Sequence, residues 1–383
     1  MQNYSNTQPS PAARPQRLVS LDWMRGIVMI LMIIDHASMA FNGSRLAVDS
    51  AGMYVLGTAL PLDQFLTRWI SHICAPTFVF LAGTALALSV ERRLARGKSS
   101  WSIDRDILIR GSFIALLDPT LISLGSGRFT FQVLYAIGVS MILLVPLRRL
   151  PGWFLLTLSL AWMFCGELIT ELYWNPEIGL TSVVAGLTVG IYVQPDLKIV
   201  YPVFPWLAIM LAGWVFGQYL ARYRSRKKGL VPPAQLIFGT GLILLGLFAA
   251  VRGFNGYGNM FLFRHGDSLV QWFFVSKYPP SLSFLSLELG LMFLCLAALM
   301  MVETKVTVHK NGPLLVFGQT AMFFYLLHRL VLESIAYWFD YRGFGGLEET
   351  YITAVVMLVV LYPLCLWYRR VKQSHPQSLL RFI

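Results

Sequence analysis

The sequence predicts an all-α integral membrane protein, a polytopic bundle of about ten transmembrane helices (ten or eleven). Three observations carry this. Of the 383 residues, 56% are hydrophobic and only 13% charged, about half the charged share of a soluble domain, which leaves too few water-facing side chains for an ordinary soluble fold. The apolar residues gather in runs long enough to cross about 30 Å of hydrocarbon at 1.5 Å per residue. Basic residues gather in alternate loops between those runs. The same composition excludes a disordered chain and a collagen-like rod. Cys74, Cys165, Cys295 and Cys365 lie far apart in apolar runs, a pattern that gives neither a disulfide framework nor zinc-ligand spacing and reads as small core residues.

Taken in order, residues 1–16 are polar and contain Pro9, Pro11 and Pro15, and they read as a disordered cytoplasmic tail. The membrane domain spans 17–370. Its ten apolar runs fall at about 24–41, 69–90, 107–124, 131–147, 152–169, 201–220, 235–252, 281–302, 314–338 and 351–368. Residues 180–193 are short and glycine-rich and read as a re-entrant or interfacial segment. Residues 371–383 form a cytoplasmic C-terminal tail. Arg14 and Arg17, the basic loops 91–106 and 221–234, Arg148 and Arg149, Lys305 and Lys310, and Arg369, Arg370 and Lys372 all fall on one side if ten helices cross and 180–193 does not. The positive-inside rule then makes both termini cytoplasmic, and the expected location is a bacterial cytoplasmic (inner) membrane. Most of the +12 net charge is thereby a topology signal; the partner is the lipid bilayer, and nucleic acid has no place. A cleavable signal ending at Ser38-Met39-Ala40 is the rival reading of the first run, and Asp35 and His36 immediately before that site argue against it.

Ionisable groups inside a span cost about 2.5–3.5 kcal/mol each on insertion scales, so they face a bundle interior or a wet cavity. With the orientation above, Asp35 and His36 lie in the outer third of the first helix and His72 at the outer mouth of the second. Asp118 lies in the outer third of the third, with Arg128 in the turn after it. Glu288 falls in the outer half of the eighth helix and His328 just outside the middle of the ninth, with Lys277 nearer the outer boundary. Three histidines and several carboxylates from separate helices thus converge on one external polar site. Each group also has a plain structural alternative. Asp35 would pair with a neighbouring Arg or His, His72 would make one backbone hydrogen bond, and Arg329 and Glu333 would pair at i,i+4. An imidazole titrates near neutrality and takes a proton from a hydroxyl or amine, with a carboxylate to orient it. Asp35 and His36 are adjacent and point about 100° apart, so Asp118 or Glu288 is the better partner for His36. A metal site from His36, His72 and His328 is disfavoured, because no helix carries two ligands at i,i+3 or i,i+4.

Ser20-Leu21-Asp22-Trp23-Met24-Arg25-Gly26 followed by Asp35-His36, the stretch His72–Gly83, Tyr201-Pro202-Val203-Phe204-Pro205-Trp206, Lys277-Tyr278-Pro279-Pro280-Ser281 and Phe323–His328 together resemble the transmembrane acyltransferases. They are most similar to the heparan-alpha-glucosaminide N-acetyltransferase-like (DUF1624) family, over roughly residues 17–370. The resemblance implies an acyl-CoA-dependent enzyme that moves an acetyl group from cytoplasmic acetyl-CoA to a hydroxyl or amine of a sugar or glycan on the far side. Members of the family place a catalytic histidine in the first luminal loop. Here residues 42–68 contain none, so the role falls to His36 or His72.

The resulting expectation is an acyltransferase with His36 as general base, oriented by Asp118 or Glu288. Asp35, His72, Arg128, Lys277 and His328 would bind the acceptor or the developing oxyanion, and Arg25 would meet a phosphate of coenzyme A. A two-step route through an acyl-imidazole is equally open, as is homodimer formation. The contrasting readings are a proton-coupled transporter using the same histidine–carboxylate cluster and a non-catalytic scaffold.

Overall fold

The computed structural model describes residues 18–125, 127–176, 182–226, 229–375 and 378. The tail assigned to 1–16, the start of segment 180–193 and most of the C-terminal tail lie outside them. In chain order the helices are α1 (Val19–Phe41), α2 (Leu62–Trp69), α3 (Cys74–Leu94) and α4 (Ser100–Leu117), the last running into a π-helical turn (Asp118–Ile122). Then come β1 (Phe129–Phe131), α5 (Val133–Leu147), α6 (Gly152–Tyr173), α7 (Val183–Thr188), β2 (Tyr192–Val193) and β3 (Leu197–Ile199). The remainder is helical: α8 (Val203–Ser225), α9 (Pro233–Phe254), α10 (Leu269–Phe273), α11 (Leu282–Glu303), α12 (Pro313–Gln319), α13 (Ala321–Trp338) and α14 (Leu347–Ser374).

Every apolar run read from the sequence is helical, and the chain is an all-α polytopic membrane protein. Among the described residues, seven spans are long and apolar enough to cross a bilayer unaided, with α2 and α3 acting as one. An eighth is the bent pair α12–α13, broken by 90° at Thr320. The runs 107–124 and 131–147 fall short of that test for separate reasons. α4 carries Asp104, Arg105, Asp106 and Arg110, and α5 has only 15 residues. Residues 182–193 form the six-residue α7 and the edge strand β2, too short to span.

Glycine sets the helix spacing, as expected where lipid supplies no hydrophobic drive between helices and close backbone packing must do the work. A Cβ on Gly83 or Gly213 would lie 2.2 or 2.1 Å from a carbonyl oxygen across the α3–α8 contact, and one on Gly26 would lie 2.1 Å from the Leu314 carbonyl of α12. α1 packs against α3, α11, α12, α13 and α14, so cleavage after Ala40 would remove the helix around which the bundle is built. Its first backbone N–H groups have no intrahelical acceptor; the Glu303 carboxylate accepts from Val19 and Ser20 at 2.8 and 2.9 Å and ties α1 to the end of α11.

At the opposite end of α1, the segments 42–61 and 255–281 fold over the bundle as a cap with its own small core, Phe65, Leu262 and Phe274. Arg252, fully buried at the end of α9, organises that cap. Its guanidinium donates to the carbonyls of Leu262, Gln271, Trp272 and Phe274 and to Asn259 Oδ1, at 2.5–3.1 Å. The three-stranded sheet, in which β3 pairs parallel with β1 and antiparallel with β2, closes the neighbouring side.

Candidate active site

His36 stands near the end of α1 and meets His328, from the middle of α13, with His36 Nδ1 2.6 Å from His328 Nε2. The bond directions follow from the next neighbour. His328 Nδ1 is 2.7 Å from the Phe324 carbonyl, which only accepts, so Nδ1 carries the proton. In the neutral ring His328 Nε2 is then the acceptor, and the proton between the rings belongs to His36 Nδ1. This leaves the lone pair of His36 on Nε2. Tyr325 stacks edge-on to both rings.

His36 lines a cavity of about 110 Å³ at the cap end of α1. Its opposite wall is an ionic lattice. Arg68 of α2 donates to Asp35 Oδ1 at 2.7 Å and to Asp49 Oδ2 at 2.7 Å, and Arg45 reaches Asp35 at 2.9 Å. Buried pairs need every charge matched to be tolerated, and Arg68 satisfies two carboxylates at once. Burial alone would raise the pKa of Asp49, but the charges of Arg68, then of His72 and Lys277, outweigh it and hold the carboxyl well below the usual carboxylate range. The backbone carbonyl of Asp49 accepts from the N–H groups of Lys277 and Tyr278 at 2.9 and 3.2 Å, which brings both side chains from the cap into the cavity. Lys198 from β3 and Tyr201 from the start of α8 complete the lining.

Of the residues expected from the sequence, His36, Asp35 and Lys277 line this cavity, and His328 lies directly behind His36. The hydrogen-bond partner of His36 is His328, and neither Asp118 nor Glu288 contacts it. Asp118 Oδ2 accepts from the backbone N–H groups of Gln132 and Tyr135, each at 2.8 Å, so the carboxylate caps α5, where unpaired N–H groups and the helix dipole favour an anion. Glu288 is buried within α11 with Oε1 unpartnered, and it lines no part of the cavity. His72 sits behind Arg68, with Nε2 3.3 Å from Asp49 Oδ1, and Arg128 lies outside the lining, on the turn before β1. Arg329 and Glu333 pair at 3.3 Å as their i,i+4 spacing suggested. Arg45, Asp49, Arg68, Lys198, Tyr201 and Tyr278 were not singled out from the sequence. Lys277-Tyr278 and Tyr201 lay in the stretches that carried the family resemblance, and Arg68 stands at the mouth of a span, so those three had a visible signal.

Two further cavities continue from the site along α1 toward its N-terminus. One of about 390 Å³ shares Met32, Val133 and Tyr325 with the His36 cavity and includes Arg25, Arg110 and Lys372. The next, about 640 Å³, shares Arg25, Ala85 and Arg92 with it and adds Arg222 and Arg224. The middle cavity, lined mostly by apolar side chains, thus lies between one lined by Arg222 and Arg224 and one lined by His36. Arg25 donates to the Leu81 carbonyl at 3.0 Å and pairs with Asp22 at 3.3 Å.

A family model described as heparan-alpha-glucosaminide N-acetyltransferase, catalytic, matches residues 17–250, more than half of the chain. The chain belongs to this family. Heparan-alpha-glucosaminide N-acetyltransferase-type catalytic domains are membrane acetyltransferases, and the match covers α1 through most of α9, hence His36, the Asp35–Arg68–Asp49 lattice, Lys198 and Tyr201. Lys277, Tyr278 and His328 lie beyond it and join the site through the fold. No curated protein sequence matches the chain.

Proposed function

We propose that this protein transfers an acetyl group from acetyl-CoA, entering at the basic mouth beside the N-terminus of α1, to a sugar or glycan hydroxyl or amine bound under the cap, with His36 Nε2 as general base. The observation that carries the reading is the pairing of His36 with His328. A carbonyl fixes one ring, that ring fixes the next, and His36, its lone pair then on Nε2, lines the cavity. A base so oriented removes the acceptor proton as the acceptor attacks the thioester carbonyl. His328 then bears part of the positive charge that forms on His36. Arg68, Lys277 and the Tyr278 hydroxyl are fixed donors for the oxyanion in a site largely shut off from water.

The line of cavities supports entry of the donor from the other face. Arg25, Arg92, Arg110, Arg222 and Arg224 suit the phosphates of coenzyme A, and the apolar middle suits its pantetheine arm. Their concentration at the face where α1 begins and α14 ends supports cytoplasmic termini and a bacterial inner-membrane location. Protein reconstituted in vesicles with labelled acetyl-CoA and a glycan acceptor tests the reading. Transfer is expected from the wild type and is lost in His36→Ala, which inserts and folds normally. Wild-type turnover by His36→Ala removes the assignment, and substrate-coupled proton flux without consumption of acetyl-CoA assigns transport instead. Omitting the acceptor separates the routes: label retained on His36 marks the two-step one, and none marks direct transfer.

A further inference from the structure

Met32, Val133 and Tyr325 line both the His36 cavity and the middle one, so they stand where the two meet. The side chains of Met32 and Val133 have no hydrogen to donate, whereas Tyr325 carries a hydroxyl. Its ring is held in place by the two histidines, which lie edge-on to it with centroids 5.9 Å (His36) and 5.7 Å (His328) away. A buried tyrosine hydroxyl ordinarily finds a partner. Tyr325 is only 5% exposed, yet among the described residues its hydroxyl has no hydrogen-bond partner, and it is not sealed off from the cavities. The other donors of the site differ in both respects. Arg68, Lys277 and Tyr278 line the His36 cavity but not the middle one. Arg68 is committed to Asp35 and Asp49, and the Tyr278 hydroxyl lies 3.5 Å from both Arg68 and the Tyr201 hydroxyl. A donor arriving through the middle cavity to meet an acceptor beside His36 presents its thioester at the junction, where Tyr325 stands.

We propose that Tyr325 is a catalytic residue of the transfer: its hydroxyl donates a hydrogen bond to the carbonyl oxygen of the thioester and holds the oxyanion that this oxygen becomes. This rests on the acyl-transfer reading above and adds a residue to it. In the step itself the acceptor atom bonds to the thioester carbon as its proton passes to His36 Nε2, and the carbonyl π electrons move onto the oxygen. Those electrons then return, the carbon–sulfur bond breaks with its electron pair on sulfur, and the proton on His36 ends on the coenzyme A thiol. Tyr325 keeps its own proton throughout. Because the oxygen carries full negative charge only near the transition state, the bond strengthens there and acts on kcat more than on KM.

The test compares full-length wild type with Tyr325→Phe in nanodiscs; the variant keeps the ring against both histidines and removes only the oxygen. The probe is acetyl-CoA with an isotopically labelled carbonyl. Infrared difference spectra report the carbonyl stretch of the bound thioester, and coenzyme A release is followed with methyl glucosaminide and with water alone as acceptor. In the wild type the bound carbonyl band is expected below its position in free acetyl-CoA, and in Tyr325→Phe it returns toward that position. The variant's kcat falls about 10²- to 10³-fold, the scale of one lost oxyanion donor, while its KM for acetyl-CoA and its melting temperature change little. A band at the same position in both proteins overturns the inference even where kcat falls, because the ring then acts by packing alone. An unchanged kcat also overturns it, and in either case acyl transfer stands. Wild-type protein that neither shows a bound carbonyl band nor releases thiol overturns acyl transfer and this inference together.

Discussion

The Phe324 carbonyl, through His328, dictates which nitrogen of His36 is basic, so the chemistry of the site depends on a residue that does not line the cavity. His328→Ala removes the acceptor for His36 Nδ1–H and frees the ring to take the other tautomer. We expect kcat to fall about 10²- to 10⁴-fold with little change in KM for acetyl-CoA, measured on protein whose melting temperature is first shown to be retained. Asp49 acts on stability. Its carboxyl is held below the usual range, so its ion pair with Arg68 persists above the unfolded-state pKa and is lost only as pH falls through the lowered native value. Asp49→Asn leaves Arg68 with Asp35 as its one carboxylate partner and should cost about 1–3 kcal/mol at neutral pH, and thermal melts across pH should show a shallower acid limb than wild type. His36, Asp35, Lys277 and His328 were legible in the sequence because an ionisable residue inside an apolar run is conspicuous. Asp118 was equally conspicuous but caps a helix. An N-cap supplied from another element leaves no local pattern, and the fold alone separates the two uses of a buried carboxylate.

Among the helices, the 90° turn at Thr320 decides where His328 points. α12 is clamped to α1 by two backbone crossings, Gly26 on Leu314 and Gly318 on Asp22, where an added Cβ on Gly318 would lie 1.8 Å from the Asp22 carbonyl oxygen. Past that clamp the chain turns, and α13 runs beside the C-terminal half of α1. Gly318→Ala must push the helices apart and should destabilise by about 1–3 kcal/mol, with acetyl transfer falling further than stability because the two histidines separate. Gly246→Ala on α9, where nothing lies within 4 Å, is the matched control. It should be neutral or stabilising by up to about 1 kcal/mol in the same melts. Apolar length revealed the helices, but run 314–338 read as one straight span. The break sits beside the contacts with α1, nearly 300 residues earlier, and no proline but only the short Gly318-Gln319-Thr320 stretch marks it locally.

Across the whole molecule the three cavities follow one another from the basic end to the cap through shared lining residues, and a single side chain should be able to separate them. Ala85 lines both the basic mouth and the middle cavity. Ala85→Trp should keep the melting temperature within a few degrees while acetyl transfer to an acceptor under the cap is lost. The sequence predicts a sidedness, because its basic residues are sorted by loop. It did not reveal the line of cavities, whose walls include α1, α3, α4, α5, α8, α12, α13 and α14, elements far apart in the chain. The ionic lattice was hidden for the same reason, since Arg45, Asp49 and Lys198 each look like ordinary loop residues until the fold brings them together. The most direct measurement of the central claim is a cryo-electron microscopy map of the protein with coenzyme A. The account predicts nucleotide density among Arg92, Arg110 and Arg222 and the thiol within hydrogen-bond reach of His36 Nε2. Coenzyme A bound elsewhere, with the passage between Arg25 and His36 closed, would contradict it.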